Sequence, residues 1–120
     1  MKEDVRILIV DDNPRARDGL SAFVSMQEGL KVVSEAANGE DALTRIESQN
    51  PDLVLMDIEM PVMDGLEATE IIKKRWPHIK VIILTLYTDY LLQAHQAGAD
   101  AFLVKGCSTE ELRATICAEN

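Results

Sequence analysis

The sequence lacks the features that mark disulfide-rich, membrane-spanning and secreted proteins. Its 120 residues include only two cysteines, Cys107 and Cys117, which are too few for a disulfide framework and fit a reduced setting. The longest apolar runs hold about six residues, far below the roughly 20 that a membrane-spanning helix needs. No apolar signal-peptide core follows Met1. We therefore expect a soluble, cytoplasmic protein that makes no membrane contact.

Basic and aromatic residues are also scarce. Lys and Arg number 12 against 21 Asp and Glu, which gives a formal charge of -9. A surface this acidic repels phosphate backbones and anionic lipid, so we expect no direct nucleic-acid binding by these residues. Hydrophobic residues make up 47% of the chain but aromatic ones only 4%, which predicts an aliphatic core. The length suits a single domain over residues 1–120.

Several familiar catalytic motifs are missing from the sequence. There is no glycine-rich phosphate loop of the form GxxxxGK[ST], no GxSxG nucleophile elbow and no Cys/His zinc pattern. These absences remove support for a P-loop nucleotidase, a serine hydrolase or a zinc protein.

What the sequence does contain is a series of short apolar runs separated by helical patterns. All but the second run are almost continuously apolar, which is typical of parallel strands that are buried on both faces. Polar residues interrupt the second run, so we expect it to form an edge strand. The runs are Val5 to Val10, Lys31 to Ala36, Leu53 to Met56, Val81 to Leu84 and Ala101 to Val104.

The segments between the runs carry helix start and stop signals. Asn13 followed by Pro14 predicts an N-cap and a first-turn proline. The third helix would run from Leu66 to Trp76 and stop before Pro77. Alternation of strands and helices predicts a (βα)₅ domain, an open parallel sheet with helices on both sides. The remaining signals are Asn38-Gly39 before the second helix, Thr88 or Asp89 as cap and Gly98 as end of a fourth helix carrying Leu91, Leu92 and Ala94, and Ser108 with Glu111 as a capping box.

Polar residues stand where the central strands end. The first run ends in Asp11-Asp12, the third in Asp57, the fourth in Thr85 and the fifth in Lys105. Ligands of open α/β sheets bind beyond the carboxyl ends of the strands, so we expect these side chains to gather at one rim.

Three carboxylates at one rim call for a cation. Two carboxylates about 4 Å apart repel by roughly 4 kcal/mol at a near-surface dielectric. All-oxygen ligands favour a hard cation, so we expect Mg²⁺, with Mn²⁺ as the alternative ion. An aspartate in such a place can attack phosphorus, while a lysine ammonium and a threonine hydroxyl stabilise the transferred group. The set is sufficient for phosphoryl acceptance.

With these residues in place, the sequence resembles the receiver domains of two-component response regulators. The resemblance covers nearly the whole chain and is closest to the LuxR/NarL type. It implies a flavodoxin-like doubly wound fold with sheet order 2-1-3-4-5. The matching stretches are residues 10–13 (VDDN), 55–65 (LMDIEMPVMDG), 83–85 (ILT) and 98–105 (GADAFLVK).

The resemblance also implies a role for each matching residue. A sensor histidine kinase would phosphorylate the domain, which would then switch conformation, form a homodimer and control a DNA-binding output rather than act as an enzyme. The implied roles are phosphoacceptor for Asp57, direct Mg²⁺ ligand for Asp12, holder of metal-bound water for Asp11, backbone-carbonyl ligand for Glu59, switch hydroxyl for Thr85, switch aromatic for Phe102 and phosphoryl-binding cation for Lys105.

The sequence departs from the family pattern at a few positions. Gly106 follows Lys105 where many receivers carry a proline after a cis bond, which leaves the geometry of this bond open. Leu86 stands where a small residue is common, and it would narrow access to Asp57. Glu59 and Tyr87 flank the route by which water would reach a phosphoryl group.

Other interpretations remain open at this point. An aspartyl phosphatase would usually show an Asp-x-Asp motif after the first strand, whereas Asp11 and Asp12 are adjacent. A phosphorylation-independent interaction module would not need the intact polar set. A stand-alone receiver is the alternative to a receiver cut from a helix-turn-helix transcription factor, whose output domain would lie beyond Asn120. For His78, His95 and Cys107 we expect no catalytic role, and for Cys117 a packing role in the last helix.

Overall fold

The computed structural model describes residues 3–118, which form five strands and five α-helices. Each strand is followed by a helix, and a 3₁₀ turn, Thr88–Tyr90, precedes the fourth helix. In chain order the elements are β1 Val5–Val10, α1 Pro14–Ser25, β2 Leu30–Ala36, α2 Gly39–Gln49, β3 Leu53–Met56, α3 Gly65–Arg75, β4 Lys80–Thr85, α4 Leu91–Gln96, β5 Ala101–Val104 and α5 Thr109–Cys117.

The strands form one parallel sheet in the order β2-β1-β3-β4-β5. This confirms the predicted doubly wound (βα)₅ fold and places the interrupted second run at an edge. The order reverses between β1 and β3, which lie side by side with Val10 opposite Met56. The loops that follow β1 and β3 leave from this point on opposite faces of the sheet, so a crevice opens between them.

Apolar side chains fill both faces of the sheet. On one face Ile7, Ile9 and Leu55 pack against α1 and α5, which contribute Val24 and Leu112. The opposite face is covered by α2, α3 and α4. Its buried residues include Leu8, Val10, Val54, Met56, Val81 and Ile83 from the strands, Ala42 and Ile46 from α2, Ala68 and Ile72 from α3, and Ala94 from α4. Burial on both sides explains why the central strands are continuously apolar.

Side chains cap most helices as the sequence predicts. Asn13 Oδ1 accepts hydrogen bonds from the amides of Arg15 and Ala16 at 2.9 and 3.2 Å. Ser108 Oγ accepts from the amide of Glu111 at 3.0 Å. These bonds satisfy amides that the first helical turn leaves without a partner, and they determine the residue at which each helix begins.

Several predicted details of the helices were wrong. The α3 helix begins at Gly65 and ends at Arg75, one residue earlier at each end than predicted. Neither Thr88 nor Asp89 caps α4, because both lie within a 3₁₀ turn that has no side-chain cap. The fourth helix itself carries Leu91, Leu92 and Ala94 as predicted; Ala94 is buried, and the two leucines are exposed. Cys117 is also exposed rather than packed, because α5 turns Leu112 and Ile116 inward instead.

Smaller differences concern the strands. The second and fourth strands begin one residue earlier than predicted, and Thr85 is the last residue of β4 rather than the first of a loop.

The described residues contain no cis peptide bond, so the bond between Lys105 and Gly106 is trans. Gly106 has a φ of 95°, a conformation that glycine adopts without strain. No helix in the described part is both long and apolar enough to cross a membrane.

The edge strand β2 is irregular. Its pairing with β1 skips one residue, since Ile7 lies opposite Val32 whereas Leu8 lies opposite Ser34. A one-residue bulge reverses the faces on which later side chains lie. Before the bulge Val32 packs toward α1 and α5, and after it Ala36 packs toward α2. Glu35 is thereby placed on the α1 side.

Candidate functional site

The site lies at the carboxyl rim of the sheet, beside the crevice between β1 and β3. Asp11 and Asp12 follow β1, and Asp57 follows β3. One carboxylate oxygen from each of the three residues lies within 4.8 Å of the other two. The rim therefore brings together the three acidic residues that the sequence predicted there.

Lys105 joins two of these carboxylates. Its Nζ donates to Oδ2 of Asp11 at 2.7 Å and to Oδ2 of Asp57 at 3.2 Å. Asp11 and Asp57 are buried, with 3% and 9% of their surface exposed. A buried carboxylate is stable only when it is paired and hydrogen-bonded, so the ammonium compensates much of the cost of placing both there.

Backbone groups fix the same carboxylates from behind. Oδ1 of Asp11 accepts from the amide of Asn13 at 2.9 Å, and Oδ1 of Asp57 accepts from the amide of Ile58 at 2.8 Å. Arg17 of α1 donates to the carbonyl oxygen of Asp11 at 2.7 Å and pairs with Glu35 at 3.3 Å. Each acid therefore has one oxygen held by the backbone and one that faces Lys105.

The surroundings alter the ionisation of this pair. Burial raises the pKa of Asp57; Lys105 opposes the rise, and the negative charge of Asp11 adds to it. For Lys105, burial acts to lower the pKa, but the hydrogen bond to Asp11 and the charges of Asp57 and Asp11 outweigh it and the pKa is raised. Lys105 is thus cationic at neutral pH, whereas ionisation of Asp57 costs free energy in the folded state.

A cavity of about 170 Å³ opens over these side chains, and its volume would admit a group of phosphoryl size. Thr85 is not among the lining residues. It is 1% exposed, and its hydroxyl oxygen accepts from the amide of Tyr87 at 3.4 Å. Phe102 is half-buried against the apolar cluster under α4. The lining residues are Asp11, Asp12, Asn13, Asp57, Glu59, Leu86, Tyr87 and Lys105.

Two contacts at the site were not predicted. Glu59, expected to contribute a backbone carbonyl, also accepts a hydrogen bond at its Oε2 from the hydroxyl of Tyr90 at 2.8 Å. Gly65, at the start of α3, lies against the backbone of Asp57, and a β-carbon built on it would be 1.8 Å from the carbonyl oxygen of Asp57. The glycine in the Asp64-Gly65 pair was the only available signal for the second contact.

The residues fit a hard divalent cation. Asp12 is exposed and hydrogen-bonds to no described residue, so its carboxylate is free to bind an ion, and the oxygens of Asp11 and Asp57 lie close to it. Three carboxylates with one ammonium leave the rim negative. Oxygen donors with excess negative charge are the set that Mg²⁺ and Mn²⁺ prefer.

Fold and site together define an open parallel α/β domain with an acidic, lysine-bridged site at its strand ends. The chain belongs to the response regulator receiver domain family, whose model matches residues 7–117. It is a receiver domain of the two-component signalling type, as the resemblance in the sequence implied.

Known proteins support the same assignment. The chain is 41% identical over 110 residues to the response regulator protein VraR of Staphylococcus epidermidis, a match that covers 90% of this chain and 53% of VraR. It is 44% identical to the uncharacterized transcriptional regulatory protein YhcZ of Bacillus subtilis, over 90% of this chain and 51% of YhcZ. The chain thus spans about half the length of these curated relatives.

Solved structures agree with the sequence relatives. A DNA-binding response regulator of the LuxR family from Staphylococcus aureus superposes with a TM-score of 0.88 at 35% identity, over 93% of this chain and 95% of that one. The similarity to LuxR-family regulators agrees with the subfamily that the sequence indicated.

Proposed function

We propose that Asp57 accepts a phosphoryl group from a phosphohistidine of a sensor histidine kinase and that Asp11, Asp12, Thr85 and Lys105 assist the transfer. The observation that carries this proposal is the bridge from Lys105 to Asp11 and Asp57 beneath an open cavity. An ammonium in this place would neutralise charge on a group attached to Asp57 without moving far.

The transfer conserves atoms and electrons. A carboxylate oxygen of Asp57 forms a bond to phosphorus while the bond from phosphorus to the donor imidazole nitrogen breaks. The imidazole keeps the electron pair, and the product is an acyl phosphate. The amide of Ile58 holds one oxygen of Asp57 and so orients the carboxylate for this attack.

A divalent ion would bind at the same rim of the sheet. Asp12 and Asp57 would bind the ion directly, Asp11 would hold ion-bound water, and the carbonyl oxygen of Glu59 would complete the protein ligands. When bound, Mg²⁺ would neutralise charge on the phosphoryl oxygens. Asp11 also holds Lys105 through its Oδ2, so one residue serves both the ion and the ammonium.

The other assisting residues flank the cavity. Thr85 would turn its hydroxyl from the amide of Tyr87 toward a phosphoryl oxygen, and Phe102 would rotate inward behind it. Both changes fit a shift between two pre-existing conformations.

The output is proposed from the relatives. VraR is a response regulator, and the Staphylococcus aureus structure is described as a DNA-binding regulator of the LuxR family. We propose that phosphorylation promotes a homodimer and controls a DNA-binding domain joined to this receiver. The net charge of -9 makes these residues themselves unsuited to DNA.

Intact-mass spectrometry after treatment with phosphoramidate tests the site. The wild type should gain the mass of one phosphoryl group when Mg²⁺ is present and little without it. Asp57→Ala should gain none, whereas Asp18→Asn, which alters an exposed aspartate of α1, should behave as the wild type. An equal gain in Asp57→Ala would refute the assignment. Steady hydrolysis of a phosphomonoester would point to a phosphatase instead.

A further inference from the structure

Tyr90 connects two segments that border the site. Its hydroxyl donates a 2.8 Å hydrogen bond to Oε2 of Glu59. Glu59 belongs to the loop between β3 and α3, whereas Tyr90 lies in the 3₁₀ turn before α4. A tyrosine hydroxyl has a pKa of about 10, so it is protonated and able to donate at neutral pH.

A second set of contacts leads from Tyr90 toward Thr85. The ring of Tyr90 meets the ring of Tyr87 edge-on, with centroids 6.4 Å apart and planes at 78°. The amide of Tyr87 in turn donates to the hydroxyl oxygen of Thr85 at 3.4 Å. A connected path therefore runs from Glu59 at the mouth of the cavity to the buried end of β4.

We propose that Tyr90 is a positioning residue that slows phosphoryl acceptance. Its hydrogen bond to Glu59 holds Thr85 and the turn after β4 in the resting arrangement. The inference rests on the proposed function, since it concerns the rate at which Asp57 gains a phosphoryl group. It adds a residue to which neither the sequence nor the proposed chemistry gives a role.

The reason lies in how the hydroxyl of Thr85 must move. It is buried and accepts from the amide of Tyr87, so it must leave that position to donate to a phosphoryl oxygen in the cavity. When the hydroxyl leaves, the amide of Tyr87 loses its acceptor and the turn is held less firmly. The ring of Tyr87 packs against that of Tyr90, and the hydrogen bond from Tyr90 to Glu59 fixes this pair, so that bond stabilises the resting state.

The expected size of the effect follows from the strength of one hydrogen bond. A hydrogen bond between side chains as exposed as these shifts an equilibrium by roughly 2- to 5-fold. Tyr90→Phe removes the hydroxyl but keeps the ring against Tyr87. We expect it to speed phosphorylation of Asp57 by phosphoramidate and Mg²⁺ by roughly that factor.

A double-mutant cycle with Glu59→Ala separates the tie from any other role of Tyr90. Adding Tyr90→Phe to Glu59→Ala should change the phosphorylation rate no further, because the partner of the hydroxyl is already gone. Hydrogen exchange of residues 85–91, measured without a phosphodonor, should quicken in Tyr90→Phe. Asp89→Asn alters an exposed side chain of the same turn that makes no hydrogen bond to a described residue, and it should leave both measurements unchanged.

Two results would overturn the inference. One is equal phosphorylation and exchange rates in wild type and Tyr90→Phe; the other is the same acceleration by Tyr90→Phe in the Glu59→Ala background. A wild type that gains no phosphoryl mass would refute the proposed function instead. The exchange measurement would then still report whether the tie restrains the turn.

Discussion

Gly65 is packed so closely against Asp57 that a β-carbon on the glycine would lie 1.8 Å from the carbonyl oxygen of the aspartate. The amide of Gly65 also donates to the carbonyl oxygen of Ile58 at 2.8 Å. Gly65, the first residue of α3, is therefore in direct contact with the backbone of Asp57, the candidate phosphoacceptor. No rotamer change can relieve a contact between two backbones, so this position demands glycine.

Substitution of Gly65 should disturb the site and the fold together. We expect Gly65→Ala to lower the free energy of unfolding by about 2–4 kcal/mol, because the backbone of residues 57 and 58 must shift. A β-carbon added to Gly19 in α1 would meet nothing within 4 Å, so Gly19→Ala should stabilise the protein by about 0.5–1 kcal/mol. Urea denaturation of both variants checks the contrast. Equal effects would show that the close contact carries no cost.

Replacing Asp57 by asparagine should make the protein more stable at neutral pH. The pKa of Asp57 is raised above 3.8 in the folded state by burial, and the charge of Asp11 adds to the rise. The folded state therefore binds more protons than the unfolded state between 3.8 and the raised pKa, and stability is lost as the pH rises through that window. We expect Asp57→Asn to be more stable than the wild type at pH 7, since it removes this charge.

The gain should depend on pH in a defined direction. Below 3.8 the carboxyl group is protonated in both states, so the stability of wild type and Asp57→Asn should converge. Thermal unfolding from acid to neutral pH measures the difference, and Asp18→Asn serves as the control for loss of an exposed carboxylate. A constant difference at all pH values would indicate a packing effect instead.

Mg²⁺ should stabilise the wild type and fail to stabilise a variant that lacks Asp12. A ligand that binds only the folded state adds about 2.7 kcal/mol at 100 times its dissociation constant. Asp12→Ala should lose most of this shift yet fold normally, because the side chain is exposed and makes no hydrogen bond to a described residue. Thermal unfolding with MgCl₂, compared with NaCl at equal ionic strength, tests this. An undiminished shift in Asp12→Ala would place the ion elsewhere.

Val62 should be replaceable by glycine with a gain in stability. It has a φ of 71°, which a β-branched residue rarely adopts, in a turn where the amide of Met63 donates to the carbonyl oxygen of Pro61 at 2.8 Å. Strain of about 1–3 kcal/mol should exceed the entropic cost of about 0.5–1 kcal/mol that glycine brings, for a net gain of about 1 kcal/mol. Val104→Gly, in a regular strand, should destabilise. Chemical denaturation of both variants measures their free energies of unfolding. A lower stability in both would show that Val62 is not strained.

The sequence was sufficient to predict the sheet and which charged residues lie together at its rim, for physical reasons. A strand covered on both faces must be apolar throughout, which marks Leu53 to Met56 and its neighbours. The first polar residue after such a strand lies at the rim because parallel strands all end there. Asp11, Asp12, Asp57 and Lys105 could be placed together by that rule alone.

The features that sequence reasoning missed depend on tertiary contacts. Tyr90 and Glu59 are 31 residues apart, and nothing local indicates that the two side chains meet. Leu91 and Leu92 are as apolar as core residues, yet both are exposed because α4 is short and turns only Ala94 inward. The 1.8 Å approach of Gly65 to Asp57 could be suspected from a glycine at a helix start but not measured without coordinates.

The bulge in β2 makes the register of the edge strand matter to the rim. Because one residue is skipped after Val32, Glu35 lies opposite Ile9 on the α1 side and can anchor Arg17, which holds the carbonyl oxygen of Asp11. If β2 paired regularly without losing a residue, Glu35 would lie opposite Val10 on the other face, and Arg17 would lose its anchor. A change of register at the margin of the sheet would thus reach the acidic residues of the rim without altering any of them.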